Sequence, residues 1–379
     1  MISFLHSILH VRNTPKLAII SACARPYVTA ASQAGYRVAA FDIFNDVDTR
    51  RRCFHSAQIR FVNGGFDAGD LLRRLSECDL SDATILYGSG LEGQPEVLAQ
   101  IACRYNLLGN PATVVADIKN PRCFFQLLDR LSIQHPETVF DVPADMVGWL
   151  AKSGGGSGGT HIRRDSTRAG NYYQREIQGL PVSVLFLADG KNVQVLGYNE
   201  QLLAPTERMP FRYGGVVGNA DLPGNAKKAM AEAAGKVAAA AGLRGLGSMD
   251  FMLDEEDVLA LEINPRLSAS FELYDNPGLL DSHIEACKGG VMALSHSSLE
   301  AKACIIHYVE HDSLIPGHVD WPDWAVDLPP AGSLVRAAEP LCSVLASAKT
   351  AALAKALAFA RARQLMHNVR LSELNSGIA

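Results

Sequence analysis

The stretch GSMDFMLDEEDVLALEINPRLSAS, residues 247–270, decides how the rest of the chain is interpreted. Two runs with the composition of β-strands, 248–253 and 258–264, flank the polar turn 254–257. Strand-like runs on either side of a short polar turn are typical of a β-hairpin. The sequence therefore predicts a hairpin here.

Two acids and one amide interrupt the apolar strands of this hairpin. Because side chains alternate along a strand, each face of the second strand receives its own set: Val258, Ala260, Glu262 and Asn264 on one, and Leu259, Leu261 and Ile263 on the other. Asp250 lies on the opposing strand, and folding the hairpin brings its carboxylate towards Glu262 and Asn264. Two buried like charges need a compensating cation, and their hard oxygen donors suit Mg²⁺ or Mn²⁺ holding a polyphosphate. The alternative is a pair of ordinary solvated acids on an edge strand.

The pattern D-x₁₁-E-x-N-P-R, from Asp250 to Arg266, resembles the magnesium hairpin of the ATP-grasp superfamily. The resemblance implies an ATP-grasp fold, of mixed α/β and α+β class, in which Asp250, Glu262 and Asn264 bind two metal ions that bridge the phosphates of ATP. It also implies that Arg266 reaches the reacting centre, where Glu262 and Arg266 are the expected catalytic residues.

The composition excludes several other classes of protein. The chain has 379 residues, 48% hydrophobic and 20% charged, which describes a globular protein of two or three domains. A net charge of −5 without a long basic block argues against nucleic acid or an anionic membrane as the main partner. Eight cysteines without a C-x-x-C pair indicate reduced thiols, so we expect a cytoplasmic protein. Residues 1–15 contain one short apolar run and are interpreted as a loose N-terminal extension.

Residues 16–111 alternate between strand-like and helix-like segments, which predicts a parallel sheet covered by helices. Ser21–Arg25, Asp42 and Gly88–Gly90 follow predicted strands, and ligands of such sheets bind at the carboxyl ends of the strands. A dinucleotide site is not the favoured interpretation of this domain. The resemblance implies a Rossmann-like pre-ATP-grasp domain that helps to hold the substrate.

An ATP-grasp domain is expected over residues 112–290, with a small lobe at about 132–178, and a C-terminal lobe over 291–379. Apolar residues in 117–131 recur at three- and four-residue steps, which predicts one helix with Lys119 at its start. Lys119 is either an exposed lysine or, as the resemblance implies, a ligand of the ATP phosphates. A second helix is predicted from Asn225, as its N-cap, to Ala241, with Gly242 ending it.

A glycine-rich run, WLAKSGGGSGGTHI, occupies residues 149–162. Glycines let backbone N–H groups approach phosphate oxygens closely, and Lys152 adds a positive charge. A flexible linker is the alternative, although linkers rarely separate two strands one loop apart. The run resembles the flap that covers ATP in the ATP-grasp fold, which implies the following nucleotide contacts: Lys152, Gly154, Gly155, Gly156, Ser157 and Gly158. His161 is interpreted as structural.

The stretch YYQREIQGLPVSVLFL, residues 172–187, resembles the segment that runs along adenine and ribose between the two lobes of the family. The resemblance implies nucleotide contacts by Gln174, Glu176 and Ile177. Many members carry an acid two residues after the glycine to hold the ribose, and this chain has Pro181 there, so Glu176 is the substitute candidate. The G-x-P-x-S-V variant is most similar to carboxylate–amine ligases that include the tyramine–glutamate ligases of methanofuran synthesis.

The loop 199–219 carries Arg208 and Arg212, which are either solvated or available to pair with a substrate carboxylate. Together these features predict an ATP- and magnesium-dependent ligase that activates a carboxylate as an acylphosphate and joins it to an amine. The family offers a carboxylase, a kinase or a non-catalytic ATP-binding scaffold as alternatives. The expected partners are small-molecule acids and amines, and a homodimer is left open.

Overall fold

The computed structural model describes residues 14–164, 172–255, 257–274, 278–290 and 300–376, with side chains up to residue 365. Most of the predicted N-terminal extension lies outside the described residues. No described helix combines the length and apolar composition needed to cross a membrane. The predicted domain boundaries stay predictions.

The N-terminal part contains a five-stranded parallel sheet of order β3-β2-β1-β6-β7. Its strands are β1 (Lys16–Ile20), β2 (Arg37–Asp42), β3 (Cys53–Gln58), β6 (Ala83–Tyr87) and β7 (Asn106–Leu108), with a small hairpin of β4 (Phe61–Val62) and β5 (Gly65–Phe66). Helices α1 (Arg25–Gln33), α2 (Val47–Arg50), α3 (Ala68–Ser76) and α4 (Pro95–Arg104) connect them. The chain reverses its direction of winding between β1 and β6, where doubly wound sheets bind ligands.

A small antiparallel sheet of order β10-β9-β11-β8 follows two helices, α5 (Ala112–Lys119) and α6 (Pro121–Arg130). Its strands are β8 (Thr138–Val139), β9 (Trp149–Lys152), β10 (Arg163–Arg164) and β11 (Tyr172–Arg175). The glycine-rich run connects β9 to β10, which are paired with each other. We call residues 153–162 the flap.

The large sheet has eight strands in the order β16-β15-β12-β13-β14-β17-β21-β19. They are β12 (Leu180–Asp189), β13 (Val193–Leu203), β14 (Tyr213–Gly218), β15 (Arg244–Asp254), β16 (Asp257–Asn264), β17 (Ala301–Tyr308), β19 (Ala325–Val326) and β21 (Pro340–Ala348). A separate pair is formed by β18 (Ser313–Leu314) and β20 (Leu334–Val335). The remaining helices are α7 (Gly224–Ala241), a 3₁₀-helix (Ala269–Leu273), α8 (Leu279–Cys287) and α9 (Ala351–Ser376).

Alternate residues of β12 pack into two different cores, one on each face of the large sheet. Val184 and Phe186 share a core with α7, whereas Leu185 and Leu187 share one with α8, the 3₁₀-helix and α1 of the N-terminal part. The sheet is therefore covered on both faces, and the N-terminal part lies on the face opposite α7.

The predicted hairpin is formed by β15 and β16, but the predicted alternation of its faces is wrong. Asp250 pairs with Glu262, whereas the next residue, Phe251, pairs with Ala260, so Leu261 is an extra residue at a β-bulge. As a result Ala260 and Ile263 pack into the same core, although the alternation placed them on opposite faces. A bulge shifts the side-chain period by one residue, and nothing in the apolar pattern marks its position.

Two predicted helix boundaries also require correction. The single helix predicted over 117–131 is two helices, because Asn120 adopts an extended conformation and caps α6 through its side chain, with Pro121 at the first helical position. Lys119 therefore ends α5 rather than beginning a helix. Helix α7 starts at Gly224, and Asn225 is not its N-cap. Gly242 ends α7 in the left-handed conformation, as predicted.

Candidate ATP and metal site

The cross-strand register of the hairpin brings the three predicted metal ligands together. Asp250 lies directly opposite Glu262, and the Nδ2 atom of Asn264 donates to Oδ2 of Asp250 at 3.2 Å. Asp250 and Asn264 are buried, whereas the side chain of Glu262 is 39% exposed. The carboxylate of Glu262 therefore remains accessible at the edge of the sheet.

Lys119, at the end of α5, brings a cation to the same oxygen atoms. Its Nζ atom lies 3.1 Å from Oε2 of Glu262, 3.2 Å from the carbonyl oxygen of Ile263 and 3.3 Å from Oδ1 of Asn264. Three oxygens from three residues converge on one ammonium group. The hairpin end is thus arranged to surround a positive charge.

The two acids of the hairpin have pKa values shifted in opposite directions. Burial raises the pKa of Asp250 well above its usual range, and the neighbouring charge of Glu262 adds to this effect. Burial would also raise the pKa of Glu262, but the neighbouring charge of Lys119 outweighs it and lowers that pKa. At neutral pH this pair therefore holds one negative charge more readily than two.

The donor set fits a hard divalent ion. Two carboxylates and an amide oxygen on one edge are the ligands that Mg²⁺ and Mn²⁺ prefer, and the Lys119 ammonium marks where positive charge is favourable. Within the described part of the chain, no three or more His, Cys, Asp or Glu side chains cluster as a metal site. Asp250, Glu262 and Asn264 would therefore need oxygens from a bound polyphosphate to complete a coordination shell.

Arg266 lies buried next to this group. Its Nη2 atom donates to Oδ1 of Asn264 at 3.2 Å, and its Nε atom donates to Oε1 of Glu92 at 2.6 Å. Glu92 comes from the loop after β6 and was missed by the sequence interpretation. The signal available was an acid two residues after the glycine turn Gly88–Gly90 at a strand end, but the sequence did not reveal its partner.

Lys152 lies at the end of β9 with its side chain buried. Its Nζ atom donates to Oε1 of Gln174 at 2.7 Å, and Nε2 of Gln174 donates to Oγ1 of Thr138. Burial lowers the pKa of Lys152 to about 8, although the charge of Glu262 opposes the shift. Two of the predicted nucleotide contacts, Lys152 and Gln174, are therefore adjacent, and Lys152 interacts electrostatically with Glu262 of the hairpin.

The flap contacts three separate parts of the molecule through its glycines. A Cβ atom on Gly154 would lie 3.0 Å from Pro121 of α6, and one on Gly155 would lie 2.6 Å from the Cα atom of Gly93. The carbonyl oxygen of Gly158 accepts a hydrogen bond from the backbone N–H of Tyr213 at 2.9 Å. Only residues without a side chain permit such close backbone approach, and the predicted approach of these glycines to phosphate stays a prediction.

The ring of His161, near the end of the flap, lies against Gly156. A Cβ atom on Gly156 would lie 2.3 Å from the His161 ring, and Nδ1 of His161 is buried with no hydrogen-bond partner. Burial and the nearby lysines lower its pKa, which keeps the ring neutral. Ser157 accepts a hydrogen bond from Thr160 within the same loop.

Glu176 and Ile177 follow β11, where the chain crosses to the large sheet. Glu176 forms a bidentate pair with Arg164, whose Nη2 atom lies 2.6 Å from Oε1, and Arg164 also stacks on Phe211. Ile177 is partly buried. The carboxylate predicted to hold a ribose is therefore already paired with an arginine.

The two candidate arginines of the loop 199–219 lie in different environments. Arg212 is buried, donates to the carbonyl oxygens of Ala204 and Ala338, and stacks on Tyr308 at 3.7 Å. Arg208 is exposed in the same loop. Arg212 thus ties this loop to the C-terminal part instead of reaching the hairpin.

Comparison with known proteins agrees with this geometry. Residues 119–270 match the family model described as the ATP-grasp domain. The chain has an ATP-grasp fold. No curated protein sequence matches the chain.

Solved structures similar to the chain share the ATP-grasp fold. The biotin carboxylase domain of a single-chain bacterial carboxylase is 16% identical, with a TM-score of 0.69 over 90% of this chain and 86% of that one. The N5-carboxyaminoimidazole synthetase of Staphylococcus aureus is 13% identical, with a TM-score of 0.64 over 92% and 97%. The biotin carboxylase domain dimer of Hydrogenobacter thermophilus 2-oxoglutarate carboxylase, in complex with MgADP, ADP and bicarbonate, is 13% identical, with a TM-score of 0.68 over 89% and 87%.

A large cavity lies elsewhere in this ATP-grasp fold. It has a volume of about 1290 Å³ and is lined by α1, the 3₁₀-helix and the segment 315–331. Arg25 forms part of its wall, paired with Glu272 and Asp327. None of the residues predicted to bind ATP or metal lines it.

Proposed function

We propose that this chain is an ATP-dependent, ADP-forming ligase that activates a carboxylate as an acylphosphate and joins it to an amine. One observation carries the proposal. Lys119, Asp250, Glu262, Asn264 and Arg266 converge at the hairpin end, with the glycine-rich flap folded beside them. A reaction that transfers a phosphoryl group needs mainly positive charge and positioning, and this group can supply both.

In this proposal Asp250, Glu262 and Asn264 hold the metal, as one or two Mg²⁺ or Mn²⁺ ions. A divalent ion bound there would neutralise charge on the phosphates of ATP and on the transferred phosphoryl group. Lys119 and Lys152 bind phosphate oxygens, and the flap residues 154–158 cover them with backbone N–H groups. Gln174, Glu176 and Ile177 border the nucleoside, which requires Arg164 to share or release Glu176.

Arg266 stabilises the charge that develops when an amine attacks the acylphosphate. Its guanidinium lies beside Asn264, next to where the phosphoryl group is transferred, and is held on two sides. A fixed donor that faces developing charge is the most effective kind of catalytic group. Because the acylphosphate is the activated species, no side-chain nucleophile is required.

The proposed substrates are an amino acid of the glutamate type and an aromatic amine of the tyramine type. The G-x-P-x-S-V sequence after β11 supports this choice through its similarity to ligases of methanofuran synthesis. We therefore place the enzyme in the cytoplasmic synthesis of a C1 carrier of the methanofuran or tetrahydromethanopterin type, acting as a monomer or a homodimer.

The test is ADP release measured with acids and amines separately and together. The ligase predicts fast release only when both substrates are present, with the amide identified by product mass. When hydroxylamine replaces the amine, a hydroxamate should form. Turnover that depends on bicarbonate would point to a carboxylase instead, and a stable phosphorylated product would point to a kinase. Nucleotide binding without any turnover would point to a non-catalytic ATP-binding scaffold.

A further inference from the structure

Arg266 is fixed mainly by a residue of the N-terminal part. Its Nε atom lies 2.6 Å from Oε1 of Glu92, a partner 174 residues away in the sequence. The two side chains are 9% and 2% exposed, so this pair is buried. The remaining contacts of the guanidinium are Oδ1 of Asn264 at 3.2 Å and the carbonyl oxygen of Leu267 at 3.1 Å. Glu92 is therefore the only acid with a hydrogen bond to Arg266 among the described residues.

Glu92 is itself held rigidly. Its second carboxylate oxygen, Oε2, accepts from the backbone N–H of Gly90 at 2.6 Å. Gly90 has a φ of +108°, and a Cβ atom there would lie 2.7 Å from the ring of Phe66, so the turn requires glycine. Burial would raise the pKa of Glu92, but Arg266 and Lys119 outweigh it and lower that pKa. The carboxylate is consequently charged and aimed in one direction.

Stability alone is a poor reason for such a pair. The desolvation of two buried charges often cancels their attraction, and an apolar pair of similar volume is commonly as stable. What the pair does provide is orientation, because the Nε contact leaves the two terminal nitrogens of Arg266 on the hairpin side. Arg266 also interacts electrostatically with Glu262. Without Glu92, the guanidinium would be drawn towards that acid.

The residue after Glu92 touches the flap. A Cβ atom on Gly93 would lie 3.3 Å from the carbonyl oxygen of Gly155, and Gly155 approaches Gly93 even more closely. One short loop, residues 90–93, therefore holds Arg266 on one side and receives the flap on the other.

We propose that Glu92 is a positioning residue that acts on the reaction through Arg266, in a loop that also seats the flap. The proposal rests on the proposed ligase function for its effect on turnover. It makes the N-terminal part a component of the reacting centre, in addition to any role in holding substrate.

The kinetic test is a double-mutant cycle of Glu92→Gln and Arg266→Met. Glu92→Gln should lower kcat by about 100-fold while the dissociation constant of ATP changes less than about twofold. Arg266→Met should lower kcat by about 1000-fold. If Glu92 acts through Arg266, the double variant is no slower than Arg266→Met. Losses that multiply in the double variant, or a wild-type kcat in Glu92→Gln, would overturn the proposal.

Two further variants, a control and a replacement, accompany the double-mutant cycle. Glu96→Gln removes an exposed acid of the same segment and should leave kcat unchanged. Glu92→Gln leaves Arg266 buried without its partner, which can prevent folding. In that case Glu92→Asp, which keeps the charge but withdraws the carboxylate, replaces it, with an expected loss of about tenfold.

A second readout does not depend on turnover. Modification of Arg266 by phenylglyoxal, followed by peptide mass, should be about tenfold faster in Glu92→Gln than in the wild type. Arg25, which is equally buried and paired with Glu272 and Asp327, should react at the same rate in both. An unchanged rate at Arg266 would refute the positioning role. Failure of the wild type to turn over ATP would instead refute the ligase function and leave this readout decisive for Glu92.

Discussion

The hairpin and the flap border the same site but are held in place by different contacts. The hairpin is fixed by a strand ladder and by side chains that contact one another, such as Lys119 with Glu262 and Arg266 with Glu92. The flap is held by glycine backbone lying against Pro121, Gly93 and Tyr213. Backbone contacts of this kind are few and easily broken, so the flap can open while the hairpin keeps its geometry. We therefore expect the hairpin to determine the reaction rate and the flap to determine nucleotide affinity.

The largest effect is expected for Glu262→Ala in the hairpin. This change removes a proposed metal ligand and the partner of Lys119, so ADP release at saturating ATP should fall by about 1000-fold or more. The melting temperature should change little, because the side chain is partly exposed. Asp257→Ala, an exposed acid on the same strand, is the control and should retain full activity. Wild-type ADP release by Glu262→Ala in Mg²⁺ would refute the metal assignment.

A smaller effect is expected from the flap. Valine at Gly155 would place a side chain against Gly93 at a φ of +72°, and valine at Gly156 would collide with His161. Either change should cost about 1–3 kcal/mol of ATP binding while kcat at saturating ATP stays within a few-fold. Calorimetry and steady-state kinetics measure the two quantities.

Gly35→Asn, outside the flap, is the control for the glycine substitutions. Gly35 also has a positive φ, no atom lies near its Cβ position, and asparagine tolerates this conformation. ATP affinity should be unchanged. Equal affinity for the Gly155→Val variant and the wild type would make the flap a simple linker.

The smallest effect concerns pH. Lys152 has a pKa of about 8, and its charged form is the one that attracts phosphate. As the pH rises from 7 to 9 the ammonium loses its proton, so ATP affinity should fall by up to about tenfold. Adenosine, which lacks phosphates, should bind with the same affinity at both values. Lys152→Met should bind ATP weakly at both pH values. If the affinity of this variant still depends on pH, the dependence belongs to another group.

The two regions also differ in how far the sequence predicted them. The hairpin and the positions of Asp250, Glu262 and Asn264 were predictable because they follow from local strand pattern and a short motif. The bulge at Leu261 was not, since one extra residue leaves the apolar composition unchanged. The end of α5 at Lys119 was marked by Asn120-Pro121, a signal that the helical periodicity obscured.

Contacts between distant segments were the main omission. Glu92 and Arg266 are far apart in sequence, and no local pattern connects an acid after one strand to an arginine after another. Arg212 shows the converse case. Its sequence context indicated a solvated loop, with a substrate role as the alternative. In the structure its guanidinium instead donates to the carbonyl oxygen of Ala338 and stacks on the ring of Tyr308, both from the C-terminal part.

The central claim is that phosphate is transferred to a substrate carboxylate, and oxygen labelling tests it most directly. The acid is supplied with ¹⁸O in its carboxylate, together with ATP, Mg²⁺ and the amine, and the released phosphate is analysed by mass spectrometry. An acylphosphate requires one ¹⁸O atom to appear in each phosphate released, because the amine displaces phosphate together with that oxygen. Label retained wholly in the organic product would contradict the ligase function, even for an enzyme that binds ATP tightly.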